Sequence, residues 1–297
     1  MMLLTKVRNC FPGDDGHLPR APAIRNAFAV LASAGLLLTT AWADSTGWKT
    51  DFFDDFESFD ADNWQDQVLW VNDEDQCYVR GNQYNTREVS GGTLKLRVIN
   101  IGEDRLCDSL DKEGKQHPDT PYVASRIVSK NRQEFSRGKW TARLRLHSDG
   151  EPGMFPAWWL LGARNNEPPV QEPDETVCWP MPGSGEIDIF EHYGSNGAGH
   201  FAARMIRHQG HCDGGDWETL MKVIDTDLTE YHEYSVEWQA EDLVFRVDGA
   251  EVYRIAGRAD EIAEPLFAIL NYAKVTDDPM EGEWVMEVDW VRHEYQD

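Results

Sequence analysis

The strongest periodicity in this chain is two. Leu94, Leu96 and Val98 alternate with Lys95 and Arg97, and Trp140, Ala142, Leu144 and Leu146 alternate with Thr141, Arg143 and Arg145. Tyr234, Val236 and Trp238 form another such set, and Trp284, Met286, Val288 and Trp290 close the chain in the same way. Side chains that alternate in polarity line the two faces of a strand, so each segment predicts a strand with one buried face. Leu243, Phe245 and Val247 run into Asp248-Gly249, the pair that best tolerates the two positive φ angles of a tight hairpin turn. From residue 44 onward no segment sustains helical apolar spacing over three turns. Short strands separated by Gly, Asn and Asp turns predict an all-β fold, a sandwich or barrel of antiparallel sheets. No Pro/Ser linker divides residues 44–297, so they read as one domain. Gly102 to Pro121 and Ala163 to Gly185 read as loops, and loops of that length are often functional.

Apolar residues make up 41% of the chain and Trp occurs 12 times, enough to fill such a core. Against 53 Asp and Glu there are only 28 Lys and Arg, a formal net charge of −25. A surface of that sign excludes a nucleic-acid partner and reads as a solubility device suited to a salty habitat. At the N-terminus Arg20 and Arg25 precede an apolar run from Ala27 to Leu38, followed by small residues at Ala41 and Ala43. This pattern predicts residues 1–43 to be a secretory signal cut after Ala43, with a secreted or periplasmic product. The stretch before Arg25 is long for a signal and holds Asp14 and Asp15, which suggests a start assigned too far upstream. The apolar run falls short of the about 20 residues a spanning helix needs, so no membrane anchor is expected, and the product is expected to be a monomer. Cys10 would leave with the signal. Cys77, Cys107, Cys178 and Cys212 remain, enough for two disulfides in an oxidising compartment, with three pairings open. Without CxxC spacing they do not predict a zinc site.

The chemistry concentrates between Trp179 and Gly194, where Glu186-Ile-Asp188-Ile-Phe-Glu191 stands. In an extended strand Ile187 and Ile189 face one side while Glu186 and Asp188 face the other. A regular strand would send Glu191 to the isoleucine side. One extra residue in a β-bulge returns it to the carboxylate face. Three carboxylates in a row repel one another and push their pKa values apart, which is rarely a structural device. A retaining glycosidase needs such a set: one carboxylate attacks the anomeric carbon, and another about 5–5.5 Å away protonates the leaving oxygen.

The same segment resembles glycoside hydrolase family 16, whose motif is Glu-x-Asp-x-(x)-Glu. The likeness extends to Asn72-Asp-Glu74-Asp-Gln76-Cys-Tyr78, Tyr122-Val-Ala-Ser-Arg126-Ile127, Phe155-Pro-Ala-Trp158-Trp159 and Val288-Asp289-Trp290. It implies a β-jelly-roll of two antiparallel sheets with a concave substrate cleft. The bulged motif, with Trp179-Pro180 ahead of it, is similar to the laminarinase-like β-1,3-glucanases. The resemblance implies Glu186 as nucleophile, Asp188 as its helper and Glu191 as general acid/base. It implies Trp159 and Trp179 as sugar-stacking platforms, core packing being the alternative for each. Arg126, Glu74, Asn72 and Asn271 would bind sugar hydroxyls, although Arg126 and Glu74 also fit a buried pair with each other. His208 fits a substrate contact as well as a structural role, and His192 fits a structural one. No cofactor is implied for catalysis. A structural calcium on the convex side is implied, with Asp289 as one oxygen ligand. Cys178 and Cys212 fall in loops beside the strands around the expected cleft, so those two are expected to pair, leaving Cys77 with Cys107. Phe155, Cys77 and Ala273-Lys274 depart from the family pattern near the cleft, which loosens the substrate assignment more than the mechanism. The expected substrate is a neutral β-1,3-glucan such as laminarin, because an acidic protein repels sulfated chains. Hydrolysis of mixed-linkage glucan, agarose or carrageenan, transglycosylation, and a non-catalytic glucan-binding module are the alternatives.

Overall fold

The computed structural model describes residues 47–111, 113–207, 210–212 and 218–297. The predicted signal and His208 lie outside the described residues. The elements belong to one compact unit, Asp44–Asp297, and form two sheets. One has ten strands: Ala250–Ile255, Leu243–Val247, His232–Trp238, Gly138–Leu146, Glu283–Tyr295, Thr93–Arg105, Thr120–Ala124 and Cys77–Tyr78 in spatial order, with two further strands attached. The other has eight, and seven of them run Glu218–Asp225, His200–Arg207, Glu186–Glu191, Met154–Gly162, Leu266–Lys274, Arg126–Val128 and Gln65–Asp66. Pairing is antiparallel apart from Cys77–Tyr78, which runs parallel to Val123–Ala124. This is the expected all-β sandwich.

The alternating positions behave as the period of two predicts. Leu94, Leu96 and Val98 are fully buried, and so are Ala142, Leu144 and Leu146. The two sheets lock together through aromatic rings that cross the interior. Trp140 of one sheet meets Trp158 of the other edge-on at 6.0 Å, and Phe190 meets Tyr234 at 4.7 Å. Such pairs add about 0.5–1.5 kcal/mol each beyond the area they bury. Asp248 and Gly249 take φ of 49° and 78° between the paired residues Val247 and Ala250, the hairpin turn their sequence predicts.

Two stretches differ from the sequence reading in extent. Gly102 to Pro121 is a loop only in its middle, because Thr93–Arg105 runs into its start and Thr120–Ala124 begins before its end. Ala163 to Gly185 is a loop, stapled by an isolated bridge between Asn165 and Val177. At one end of the eight-stranded sheet, Glu218–Asp225 pairs on one side only among the described residues. Met221 and Val223 on it are 47% and 53% exposed.

Candidate active site

The site lies on the outer face of the eight-stranded sheet, and a single irregularity builds it. Along Glu186–Glu191 the register against Met154–Gly162 runs Leu161 to Glu186, Leu160 to Ile187 and Trp159 to Asp188, then slips, with Trp158 opposite Phe190 and Ala157 opposite Glu191. Ile187, Ile189 and Phe190 all pack into the main core. Two consecutive residues therefore point inward, and Glu191 comes out on the face of Glu186 and Asp188, as the bulge reading predicts. On the far side Ile206, Arg204 and Ala202 stand opposite Glu186, Asp188 and Glu191. Glu191 thus lies between two alanines, Ala157 and Ala202, across the adjoining strands.

Burial makes these acids unusual. Glu186 is pushed up to about 8, first by burial and then by the charge of Glu191, while a hydrogen bond from Trp179 works the other way. Burial drives Asp188 well above the ordinary aspartate range, reinforced by Glu186 and opposed by Arg204. Glu191 is likewise held well above its usual value by burial and by Asp188, again opposed by Arg204. Three neighbouring carboxyls all held above their usual range cannot all be ionised near neutrality, so the group retains a proton among them. A set that keeps one carboxylate and one carboxylic acid side by side has the chemistry of a glycosidase pair.

Arg204, which sequence reasoning missed, supplies the opposing charge. Its Nε lies 2.5 Å from Glu191 Oε2 and 3.5 Å from Asp188 Oδ2, with 14% of the side chain exposed. The alternation Phe201, Ala203, Met205 inward and Ala202, Arg204, Ile206 outward was visible in the sequence. The register that sets Arg204 opposite Asp188 was not.

The other expected residues divide. Trp179 hydrogen-bonds Glu186 and packs, with Trp159, against a small cluster of Val128, Leu161, Phe267 and Ile269. Trp159 Nε1 donates to Asn271 Oδ1 at 2.8 Å, and the Asn271 amide donates to the Tyr78 hydroxyl at 3.2 Å. The Arg126 guanidinium lies 4.9 Å from the Trp159 ring centre, so one contact of that ring is already taken. Arg126 is buried and donates to Gln67 Oε1 at 2.5 Å and to Glu167 Oε2 at 3.0 Å. Its direct partners are therefore Gln67 and Glu167, two residues the sequence did not single out, and the alternative of a direct pair with Glu74 is reduced to the field that Arg126 exerts on it. Glu74 is buried, pushed up to about 7 by burial and drawn back by the field of Arg126. Asn72 stands apart as an exposed turn residue with φ of 55°, a conformation Asn tolerates. His192 is fully buried with its ring nitrogens 2.7 and 2.6 Å from the carbonyls of His200 and Asp149, a structural role.

Both expected disulfides are present, Cys77–Cys107 and Cys178–Cys212, each with Cα atoms 5.4 Å apart. The second ties the loop before Glu186 to the segment after His200–Arg207. Asp289 gives no support to a calcium site. It sits at a slip in the register of Glu283–Tyr295 and forms an ion pair with Arg143. Among the described residues the one group with three candidate ligating atoms is Cys77, Cys107 and His117, whose two cysteines are already joined to each other.

Comparison with known proteins matches the model of glycosyl hydrolases family 16 to residues 73–290. The chain belongs to that family. Among family 16 relatives, a beta-glucanase from Rhodothermus marinus is 28% identical over 238 residues, covering 77% of this chain and 74% of that protein. The glucan endo-1,3-beta-glucosidase A1 of Niallia circulans is 25% identical, over 69% of this chain but 28% of its own length. Among solved structures, a LamA variant from Z. galactanivorans in complex with laminaritriose and laminaritetraose superposes with a TM-score of 0.69 at 26% identity. It covers 83% of this chain and 99% of that one. The two-sheet sandwich is accordingly the family 16 β-jelly-roll, and the protein is a glycoside hydrolase. Among the described residues no helix is long and apolar enough to cross a membrane.

Proposed function

We propose that this protein is a secreted, retaining endo-β-1,3-glucanase acting on laminarin-like glucan, working as a monomer without a cofactor. The observation that carries this reading is the bulge, which sets Glu186, Asp188 and Glu191 on one sheet face beside Trp179. In the first step Glu186 attacks the anomeric carbon as the protonated Glu191 gives its proton to the leaving oxygen. In the second, Glu191 takes a proton from water, and the water oxygen displaces Glu186. Asp188, between them, keeps the shared proton off the nucleophile. Residues 1–43 serve as the export signal. The relatives and structural neighbours named for 1,3-glucan or laminarin oligosaccharides support the substrate.

Two experiments test it. Laminarin, mixed-linkage glucan, agarose and carrageenan are assayed for new reducing ends, and laminarin is expected to be cleaved fastest. Activity on agarose or carrageenan without activity on laminarin refutes the substrate. Azide is then added to Glu191→Ala and Glu186→Ala on an activated aryl glycoside. The first variant should yield a β-glycosyl azide by two inversions and the second an α-azide by one. Exchanged anomers would reverse the two roles.

A further inference from the structure

We propose that Arg204 is a positioning residue that holds Glu191 ready as the base for the second chemical step. The inference rests on the assignment of Glu186 as nucleophile and Glu191 as acid/base, and it concerns the charge left behind when the first step is over. In the form that reacts, the group carries one proton, on Glu191, and its negative charges sit on Glu186 and Asp188. Attack by Glu186 forms its ester bond to the anomeric carbon and breaks the glycosidic bond, and the Glu191 proton leaves with the departing oxygen. The net charge of the group is unchanged, but it has moved along the strand from Glu186 to Glu191. Arg204 stands at the receiving end.

The geometry fits a partner for the anion. Arg204 Nε lies 2.5 Å from Glu191 Oε2, a full ångström nearer than to Asp188. From the other side Tyr193 touches the guanidinium: its ring centre is 5.8 Å away, and its phenol hydrogen-bonds Arg204. Tyr193 is itself stacked on Phe155 at 4.2 Å, so the Arg204 side chain is wedged rather than free to swing. The groups facing Glu191 are few. Its own strand brings Asp188 and Glu186, the loop that follows brings Tyr193, Met154–Gly162 brings the uncharged Ala157, and His200–Arg207 brings Ala202 and Arg204. Arg204 is the cation in that set. An opposite charge this close favours the ionised carboxylate. It therefore opposes protonation of Glu191 in the resting site, where the neighbouring carboxylates restore it, and favours the carboxylate once Glu186 is an ester.

The test compares the full-length enzyme with Arg204→Gln and Arg204→Lys on laminarin and on 2,4-dinitrophenyl β-laminaribioside, with melting temperatures measured alongside. In Arg204→Gln the alkaline limb of kcat/KM on laminarin should rise by about one pH unit or more, because Glu191 keeps its proton longer. On the aryl glycoside, turnover below neutral pH should fall by about tenfold or more, because the base is protonated when water must be activated. Azide, which needs no base, should restore that turnover and give a β-glycosyl azide, with little effect on the parent enzyme. Arg204→Lys, which keeps the charge, should fall between the two. Limbs that stay in place, with no azide rescue beyond that of the parent, overturn the proposal, and the same readings on Arg204→Lys decide it should Arg204→Gln not fold. If azide fails instead to rescue Glu186→Ala and Glu191→Ala, the assignment beneath it is at fault.

Discussion

Lys130 offers the sharpest test of what holds the site in place. It is fully buried, and its ammonium lies 2.7 Å from the equally buried Glu175 carboxylate while donating to the carbonyls of Asn165 and Glu167 at 2.7 and 2.8 Å. Glu175 also accepts from the Asn131 amide and the Glu172 backbone N–H at 2.7 and 2.9 Å. The pair thus pins the loop between Ala163 and Gly185, which carries Glu167 to Arg126 and Trp179 to Glu186. Lys130→Met keeps the volume of the stem and removes the charge. Leaving a buried carboxylate unpaired costs about 3–5 kcal/mol. At about 2–4 °C per kcal/mol for a domain of this size, the melting temperature should drop by about 6–20 °C. Adding Glu175→Leu should return most of the loss, because a well-packed apolar pair often replaces a buried ion pair at little cost. Burial pushes Glu175 upward, but hydrogen bonds from Lys130 and Asn131 outweigh it and hold the carboxyl below its ordinary value. A depressed carboxyl stabilises above its unfolded pKa and loses that contribution as pH falls through its folded one. The gap between parent and Lys130→Met should therefore be full at neutral pH and narrow below about pH 4. Calorimetry across pH measures all of this. A single variant within about 2 °C of the parent at neutral pH, or a double variant no better than the single, would refute the reasoning.

The raised carboxyls carry the opposite sign. Because burial holds Glu186 at about 8, its ionisation destabilises the fold as pH climbs, so Glu186→Gln should lose activity yet melt higher than the parent at pH 8, with the gain fading toward pH 4. Cys178→Ser with Cys212→Ser opens a loop of 34 residues and should cost about 3–4 kcal/mol, read as a lower melting temperature together with a higher KM, since the bridge borders the site. Trp158→Ala empties a fully buried site between the sheets and should cost about 3–5 kcal/mol in denaturant unfolding.

What the sequence disclosed and what it hid follow from the range of the forces involved. A period of two is local, so the strands, the Asp248-Gly249 hairpin and the sandwich were legible. The face of Glu191 was legible too, because burying Ile189 and Phe190 together forces the bulge. Arg204 depends on the register between two strands, which the loop at residues 192–199 sets. Lys130 was hidden for another reason: a lone lysine in a sequence reads as solvated, and only the fold brings Glu175 to it across 45 residues of chain. The direct partners of Arg126 escaped notice in the same way. Gln67 and Glu167 come from opposite sides in sequence, 59 and 41 residues away.

The strand Glu218–Asp225 has a consequence for the protein in concentrated solution. Among the described residues no strand pairs with its outer edge, although Lys222 reaches across to the Val252 carbonyl of the other sheet, and Met221 and Val223 are exposed on it. That is a template on which a second copy could add its own strand. The deterrent is charge: Glu218, Lys222 and Asp225 punctuate the edge, and copies carrying −25 each repel one another. At physiological ionic strength this repulsion reaches about 8 Å from the surface, and in molar salt only about 3 Å. Charge thus opposes edge-to-edge association most in dilute buffer and least in brine, contrary to its reading as a device suited to a salty habitat, and there the short-range contacts of Met221 and Val223 are left to decide.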